Sequence, residues 1–175
     1  MNYLFLDNGF EEIEAITTVD LLRRAGVELL TISMTDSLSV RGAHGIFVQA
    51  DKEFAKTDFS DANMLILPGG GVMLGEHDNL CQLLRKHNDE GKQIAAICAA
   101  PAILGNLGIL KGKKATCYPG FEAALGESYT GGLVVESQNV ITAKGPGLSA
   151  DFAFCLIEKL AGQEVADQVY DAAQY

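Results

Sequence analysis

Residues 93–108 read QIAAICAAPAILGNLG: a short apolar run, a cysteine, small residues, a proline and a second apolar run. A continuous apolar run of this length, bounded by a turn, reads as a strand buried on both faces. Pro101 suits the first turn of a helix, where its missing N–H would have had no partner. The stretch is therefore a buried strand passing into a helix through a tight turn, the repeating unit of a parallel sheet.

The flanking sequence repeats this unit. Strands are expected at residues 3–6 (YLFL), 27–34 (VELLTISM), 64–67 (MLIL), 93–98, 114–118 and 140–144. Helices are expected at residues 11–24, 79–89, 101–107, 149–160 and 164–172. In the first helix Glu11 and Glu12 favour the positive end, Ile13, Ile16, Val19 and Leu22 recur at helical spacing, and Gly26 ends it. Residues 39–49 read as a hairpin around Gly42 and Gly45. No repeat, linker or low-complexity segment interrupts the series. The expected architecture is one α/β domain over residues 1–175, a mostly parallel sheet with helices on both faces.

With 175 residues, 48 % of them hydrophobic, the chain can bury roughly 70 % of its extended surface and needs no disulfide or metal staple. Its net charge of −10 lacks the basic footprint that nucleic acid or an anionic membrane requires. No apolar stretch approaches the roughly 20 residues of a bilayer span. The acidic start MNYLFLDNGFEE has no basic leader, so a cytoplasmic location is expected. Cys81, Cys98, Cys117 and Cys155 lie far apart without a CxxC, as free thiols do in a reducing compartment.

In doubly wound sheets, functional groups gather where strands end and helices begin. Residues 8–14, 68–71, 98–101 and 145–149 occupy such junctions. Cys98 is the strongest nucleophile among them. N–H groups of a helix starting at Pro101 would hold its thiolate below the ~8.5 of a free cysteine. Ala96, Ala99 and Ala100 leave room for the turn. A free cysteine is also commonly a small buried hydrophobe, the preferred reading for Cys81 and Cys155, which sit inside helical apolar patterns. Glu14 lies between Ile13 and Ala15, with Thr17, Thr18 and Leu21 on its side. Kept from water, its carboxyl would hold a proton and could pass it to sulfur; spacing alone fits a solvated glutamate equally well. Pro68-Gly69-Gly70-Gly71 could aim backbone N–H groups at an oxyanion, or be a plain turn.

Other motif matches fail. Residues 145–150 fit GxGxxA, but no strand with an acidic residue follows about 20 positions on, so a dinucleotide is not expected. No GxxxxGK[ST] occurs, and His44, His77 and His87 lack metal-binding spacing. Neither a cofactor nor a metal is expected. No histidine adjoins Cys98 in sequence to act as a protease base.

Jointly and in this order, Gly9-Phe10-Glu11-Glu12-Ile13-Glu14, Val19-Asp20-Leu21-Leu22-Arg23-Arg24-Ala25-Gly26, Leu67-Pro68-Gly69-Gly70, Ala95-Ala96-Ile97-Cys98-Ala99-Ala100-Pro101 and Gly145-Pro146-Gly147 resemble the ThiJ/PfpI superfamily. The resemblance runs nearly the whole chain and is closest to the parkinsonism-associated deglycase branch. It implies a flavodoxin-like three-layer sandwich and a homodimer. It implies Cys98 as a strained nucleophile, Glu14 hydrogen-bonded to it, and Gly69, Gly70 and Ala99 around an oxyanion site. Such proteins act without cofactor on small reactive carbonyls, turning methylglyoxal into lactate or reversing early glycation adducts. Cys98 would attack the aldehyde and Glu14 would move protons. Redox sensing through the cysteine and chaperone activity are the alternative roles the resemblance implies. Two positions depart from the pattern. Ala99 replaces the histidine that follows the cysteine in protease-like members, which counts against a protease or amidase. Tyr118 stands where some deglycase-branch members have a histidine, and tyrosine is no base at neutral pH. His44, on the hairpin, is the substitute this leaves, reaching the site or a dimer partner.

Overall fold

Each apolar run becomes a strand whose alternate side chains enter two different cores. The computed structural model describes residues 1–175. Its first half contains β1 (Asn2–Leu6), α1 (Glu12–Arg24), β2 (Leu29–Ser33), β3 (Ser39–Arg41), β4 (Phe47–Gln49), β5 (Lys52–Glu53), β6 (Met64–Leu67) and α2 (Asp78–Asp89). The second half contains β7 (Gln93–Ile97), α3 (Pro101–Asn106), α4 (Glu122–Leu125), β8 (Val134–Ser137), β9 (Val140–Ala143), α5 (Ser149–Ala161) and α6 (Gln163–Ala172).

Seven strands form one sheet in the order β5-β2-β1-β6-β7-β9-β8, parallel except where β8 runs against β9. Leu4, Leu6, Ile66, Ala95 and Ile97 pack on one face with Leu22, Phe152 and Leu156 of α1 and α5. Phe5, Leu65, Leu67, Ile94 and Ala96 pack on the other with Leu80, Leu84, Ile103 and Leu104 of α2 and α3. Each such large side chain contributes about 1.5–3 kcal/mol by leaving water. Burial on both faces explains why these strands are apolar without alternation. The fold is the α/β, flavodoxin-like sandwich that the sequence implied.

Strand order places the site. The chain crosses from β1 to β2 on one side and later enters β6 on the other, so loops after β1, β6 and β7 meet at the sheet's carboxyl edge. The separate β3–β4 hairpin, with Val40 opposite Val48, docks on the loop after β1. Gly9 N–H donates to Arg41 O at 2.7 Å and Ala43 N–H to Phe10 O at 2.8 Å. No helix is long and apolar enough to cross a membrane.

Three sequence expectations need correction. Residues 114–118 are not a strand; Ala115 makes only an isolated bridge to Tyr129. The free edge of β9 is taken by β8, an edge strand the sequence reading missed, and the 114–118 backbone bonds to side chains and to scattered backbone groups at Ser128, Thr130 and Cys98. Lys114 N–H donates to Ser137 Oγ at 3.0 Å and Thr116 N–H to Thr142 Oγ1 at 2.9 Å. The strand expected at 27–34 shortens to Leu29–Ser33. In α1 the expected apolar stripe faces outward at its start: Ile13 is 56 % and Ile16 41 % exposed. The buried face is instead built from Glu14, Ala15, Thr18, Leu21 and Leu22.

Candidate active site

Strand β7 ends at Ile97, and Cys98 reverses the chain with φ +66°, a left-handed conformation uncommon for a residue with a side chain. Conformations of this kind cost of order 1–3 kcal/mol and persist only where the surroundings fix them. Here they do. Cys98 N–H donates to Ala143 O of β9 at 2.9 Å, and Cys98 O accepts Tyr118 N–H at 2.8 Å. Buried Ala99 and Ala100 then lead into Pro101, the first residue of α3. The result is a thiol only 9 % exposed, held at the carboxyl edge of the sheet.

Glu14 reaches the same point from α1. Glu11 caps that helix, its Oε2 accepting Glu14 N–H at 2.9 Å. One turn in, the fully buried Glu14 carboxyl lies against the Cys98 thiol and accepts Gly69 N–H through Oε2 at 2.7 Å. Glu14 Oε1 has no aligned hydrogen-bond partner. Burial lifts the Glu14 carboxyl to about 7, with the Glu11 charge adding to the rise and Cys98 and Gly69 opposing it. Burial, followed by the Glu14 charge, pushes the Cys98 thiol up to about 12, with the Ala99 N–H opposing. The helix was expected to lower this thiol. The one opposing N–H comes from Ala99 in the turn before the six-residue α3, and desolvation beside an acid outweighs it. The two acids thus form a coupled pair that keeps one proton through neutral pH.

The turn after β6 completes the enclosure. A Cβ on Gly69 would stand 2.6 Å from Glu14 Oε2 and 2.7 Å from Cys98 Cβ, so only glycine fits between acid and thiol. Gly70 has φ +107° and its backbone passes against Gly9 O and Glu11 N. Glu11 N–H donates to Gly69 O at 2.9 Å, fastening this turn to the start of α1. The N–H groups of Gly70 and Gly71 donate to nothing within the chain and are free for a ligand. Gly69→Ala is expected to lower stability by about 1–3 kcal/mol, read by urea unfolding. Unchanged stability would show that the three residues do not interlock.

The auxiliary candidates are placed differently. Tyr118 holds the elbow through its backbone, and its ring lies over Gly145, where a Cβ would meet Cδ2 at 3.0 Å. His44 is not brought to the thiol: Glu12 takes its ring at 2.9 Å and its N–H at 2.7 Å. His77 sits 2.7 Å from Asp7, and His87 faces Asn63 O at 3.2 Å. All three histidines of this chain have partners other than Cys98. Sequence reasoning missed the double role of Glu11, cap of α1 and anchor of the Gly69 turn; its position three residues before Glu14 was the available signal.

Residues 3–159 match the DJ-1/PfpI family. This chain belongs to that family. It is 34 % identical over 172 residues to protein dj-1beta of Drosophila melanogaster, covering 95 % of this chain and 92 % of that protein. Protein DJ-1 homolog A of Arabidopsis thaliana is 37 % identical over 93 % of this chain, which spans only 43 % of that longer relative. A protein named deglycase PH1704, from Pyrococcus horikoshii, is 32 % identical over 83 % of this chain and 91 % of its own length. Among solved structures, oxidized Toxoplasma gondii DJ-1 superposes with a TM-score of 0.95 at 34 % identity, covering 99 % of this chain and 97 % of that one. The other thiols of this DJ-1/PfpI chain lack the Cys98 setting. Burial pushes Cys117 and Cys155 up to about 11 and raises Cys81, and none has a buried acid within hydrogen-bonding range.

Proposed function

We propose that this chain is a cofactor-independent cysteine enzyme acting on 2-oxoaldehydes such as methylglyoxal, or on the early glycation adducts they form. The observation that carries the reading is the strained Cys98 thiol facing a buried Glu14 whose proton affinity sits near neutrality. A general base is most effective when it titrates near the working pH. The deglycase name of the Pyrococcus relative supports the substrate class.

In this mechanism Glu14 carboxylate takes the Sγ–H proton as sulfur bonds to the aldehyde carbon. The aldehyde oxygen gains that charge and is met by N–H groups of Gly70 and Ala99; a proton returned from Glu14 gives a hemithioacetal. Glu14 then moves the hydrogen on that carbon to the neighbouring carbonyl carbon, while the hemithioacetal hydroxyl proton passes to that carbonyl's oxygen, leaving a thioester of lactate. Water cleaves the thioester, releases lactate and restores the thiol. The reaction consumes one water and needs no oxidant. Lactate release by wild type, absent in Cys98→Ser, tests the reading.

Redox sensing at Cys98 is the second reading, favoured by the oxidized form of the Toxoplasma relative. Mass spectrometry after mild peroxide separates the two: selective Cys98 oxidation without aldehyde turnover selects the sensor. Either role suits four free thiols in the cytoplasm. The chain acts as a homodimer through the exposed Ile13 and Ile16 of α1 and Ile46 and Phe47 of the hairpin, whose Ile46 N–H donates to Glu12 at the start of α1 at 3.4 Å. Phe47→Asp is expected to sediment as a monomer; a wild type that is itself monomeric refutes this contact.

A further inference from the structure

Away from the thiol, the sheet ends in an open edge. In the order β5-β2-β1-β6-β7-β9-β8, no strand follows β8. Leu133 O accepts Lys144 N–H at 3.0 Å, while Ala143 turns its C=O to the β7 side and accepts Cys98 N–H at 2.9 Å. Bonded and non-bonded pairs alternate along an antiparallel ladder. Val135 and Ser137 therefore bond to β9, and the backbone N–H and C=O of Val134 and Glu136 face outward. No turn or loop of the chain bonds to those groups. A row of this kind is a template for a further strand.

The face beside that edge is hollowed. Val134 packs towards α5, and Glu136 Oε1 meets Lys159 Nζ of α5 at 2.7 Å. Between β8 and α5 lies a hollow of about 390 Å³ whose apolar walls are Leu133, Val134, Leu148 and Cys155. A second hollow, of about 400 Å³, continues past Asp151 and Cys155 to Phe154 and Tyr170, between α5 and α6. Leu133 is 62 % and Tyr170 46 % exposed, large apolar surface with no cover in the chain. Glu136, Asp151, Glu158 and Asp167 line the two hollows, and no lysine or arginine does.

We propose that the β8 edge and the groove along α5 bind an extended, basic segment of another protein, which joins the seven-stranded sheet as an added strand. The segment's backbone pairs with Val134 and Glu136, and its alternate side chains lie over α5. Lysine or arginine suits those positions: the stems cover Leu133 and Leu148, and the cationic heads meet Asp151 and Glu158. A second copy of this chain does not fit, because pairing β8 with itself sets Glu136 against an equally acidic groove. None of these residues belongs to the α1 and hairpin contact proposed above.

The probe is a fluorescein-labelled heptapeptide of alternating lysine and threonine, beginning with lysine, read by anisotropy against the whole protein. It should bind saturably at one peptide per chain, and the same peptide with glutamate for lysine should not bind. Proline in place of the central threonine keeps the charge but removes a backbone donor, and should weaken binding about tenfold. Val134→Pro, which removes the outward N–H of the edge, should do the same, whereas Val134→Ala, which keeps it, should not. Asp151→Lys should weaken binding at least about tenfold. Absence of binding to wild type overturns the proposal, and so does equal affinity for the two lysine peptides, which would mean charge attraction without strand pairing. A Val134→Pro protein that sediments differently from wild type with no peptide present also overturns it, since the edge would then serve the chain's own assembly.

Discussion

Cys98→Ser is expected to lower kcat/KM for lactate formation from methylglyoxal by about 10³-fold or more. That loss corresponds to roughly 4 kcal/mol of transition-state stabilisation. Serine keeps the size of the side chain and the backbone bonds to Ala143 and Tyr118, so the elbow stays built. What disappears is a nucleophile that Glu14, titrating near 7, can deprotonate; a hydroxyl binds its proton far too tightly. A folded Cys98→Ser protein that turns methylglyoxal over at the wild-type rate would falsify the proposed chemistry.

Glu14→Gln separates activity from stability. Glutamine can still accept the Gly69 N–H but cannot move a proton, so turnover should fall about 10²- to 10⁴-fold. Stability should change in the opposite direction. The folded-state pKa of Glu14 is raised from 4.5 to about 7, so the folded chain binds more protons than the unfolded chain between those values. The stability linked to that proton is fully present below about pH 4.5 and is lost as pH rises through about 7. Glu14→Gln escapes this loss and should exceed wild type by up to about 3 kcal/mol at pH 8, with the difference vanishing towards pH 4.5. Urea unfolding at pH 5 and pH 8 checks the crossover. A variant less stable than wild type at pH 8 would mean that Glu14 is ionised in the fold at little cost.

The elements buried on both faces were legible because their composition has a single explanation: residues 3–6, 64–67 and 93–98 have no room for a polar side. The edges were not. Val134–Ser137 is half-buried and short, and nothing local tells it from a loop. Residues 114–118 carry buried Ala115 and Cys117 like a strand, but their backbone bonds to Ser137 and Thr142 side chains brought in by the tertiary fold. Cys98 could be read from its junction between strand and helix. Glu14 could not be decided, because α1 inverts the usual rule by burying a glutamate and exposing Ile13 and Ile16. Such an inversion breaks local consistency where a site or an interface demands it. His44 and Glu12 were out of reach of spacing rules altogether, since only the docked hairpin joins them.

The proton shared by Cys98 and Glu14 is the centre of this account, and the pH dependence of Cys98 alkylation, followed peptide by peptide in wild type and Glu14→Gln, reads it most directly. The expected wild-type rate stays low through neutral pH and rises only towards about 12, because the proton lost near 7 is that of Glu14 and its carboxylate then holds the thiol proton. In Glu14→Gln that charge is gone, so the rise should move to lower pH than in wild type while burial still keeps it above the ordinary thiol range of about 8.5. One shared profile in both proteins, centred on an ordinary thiol value, would contradict the account.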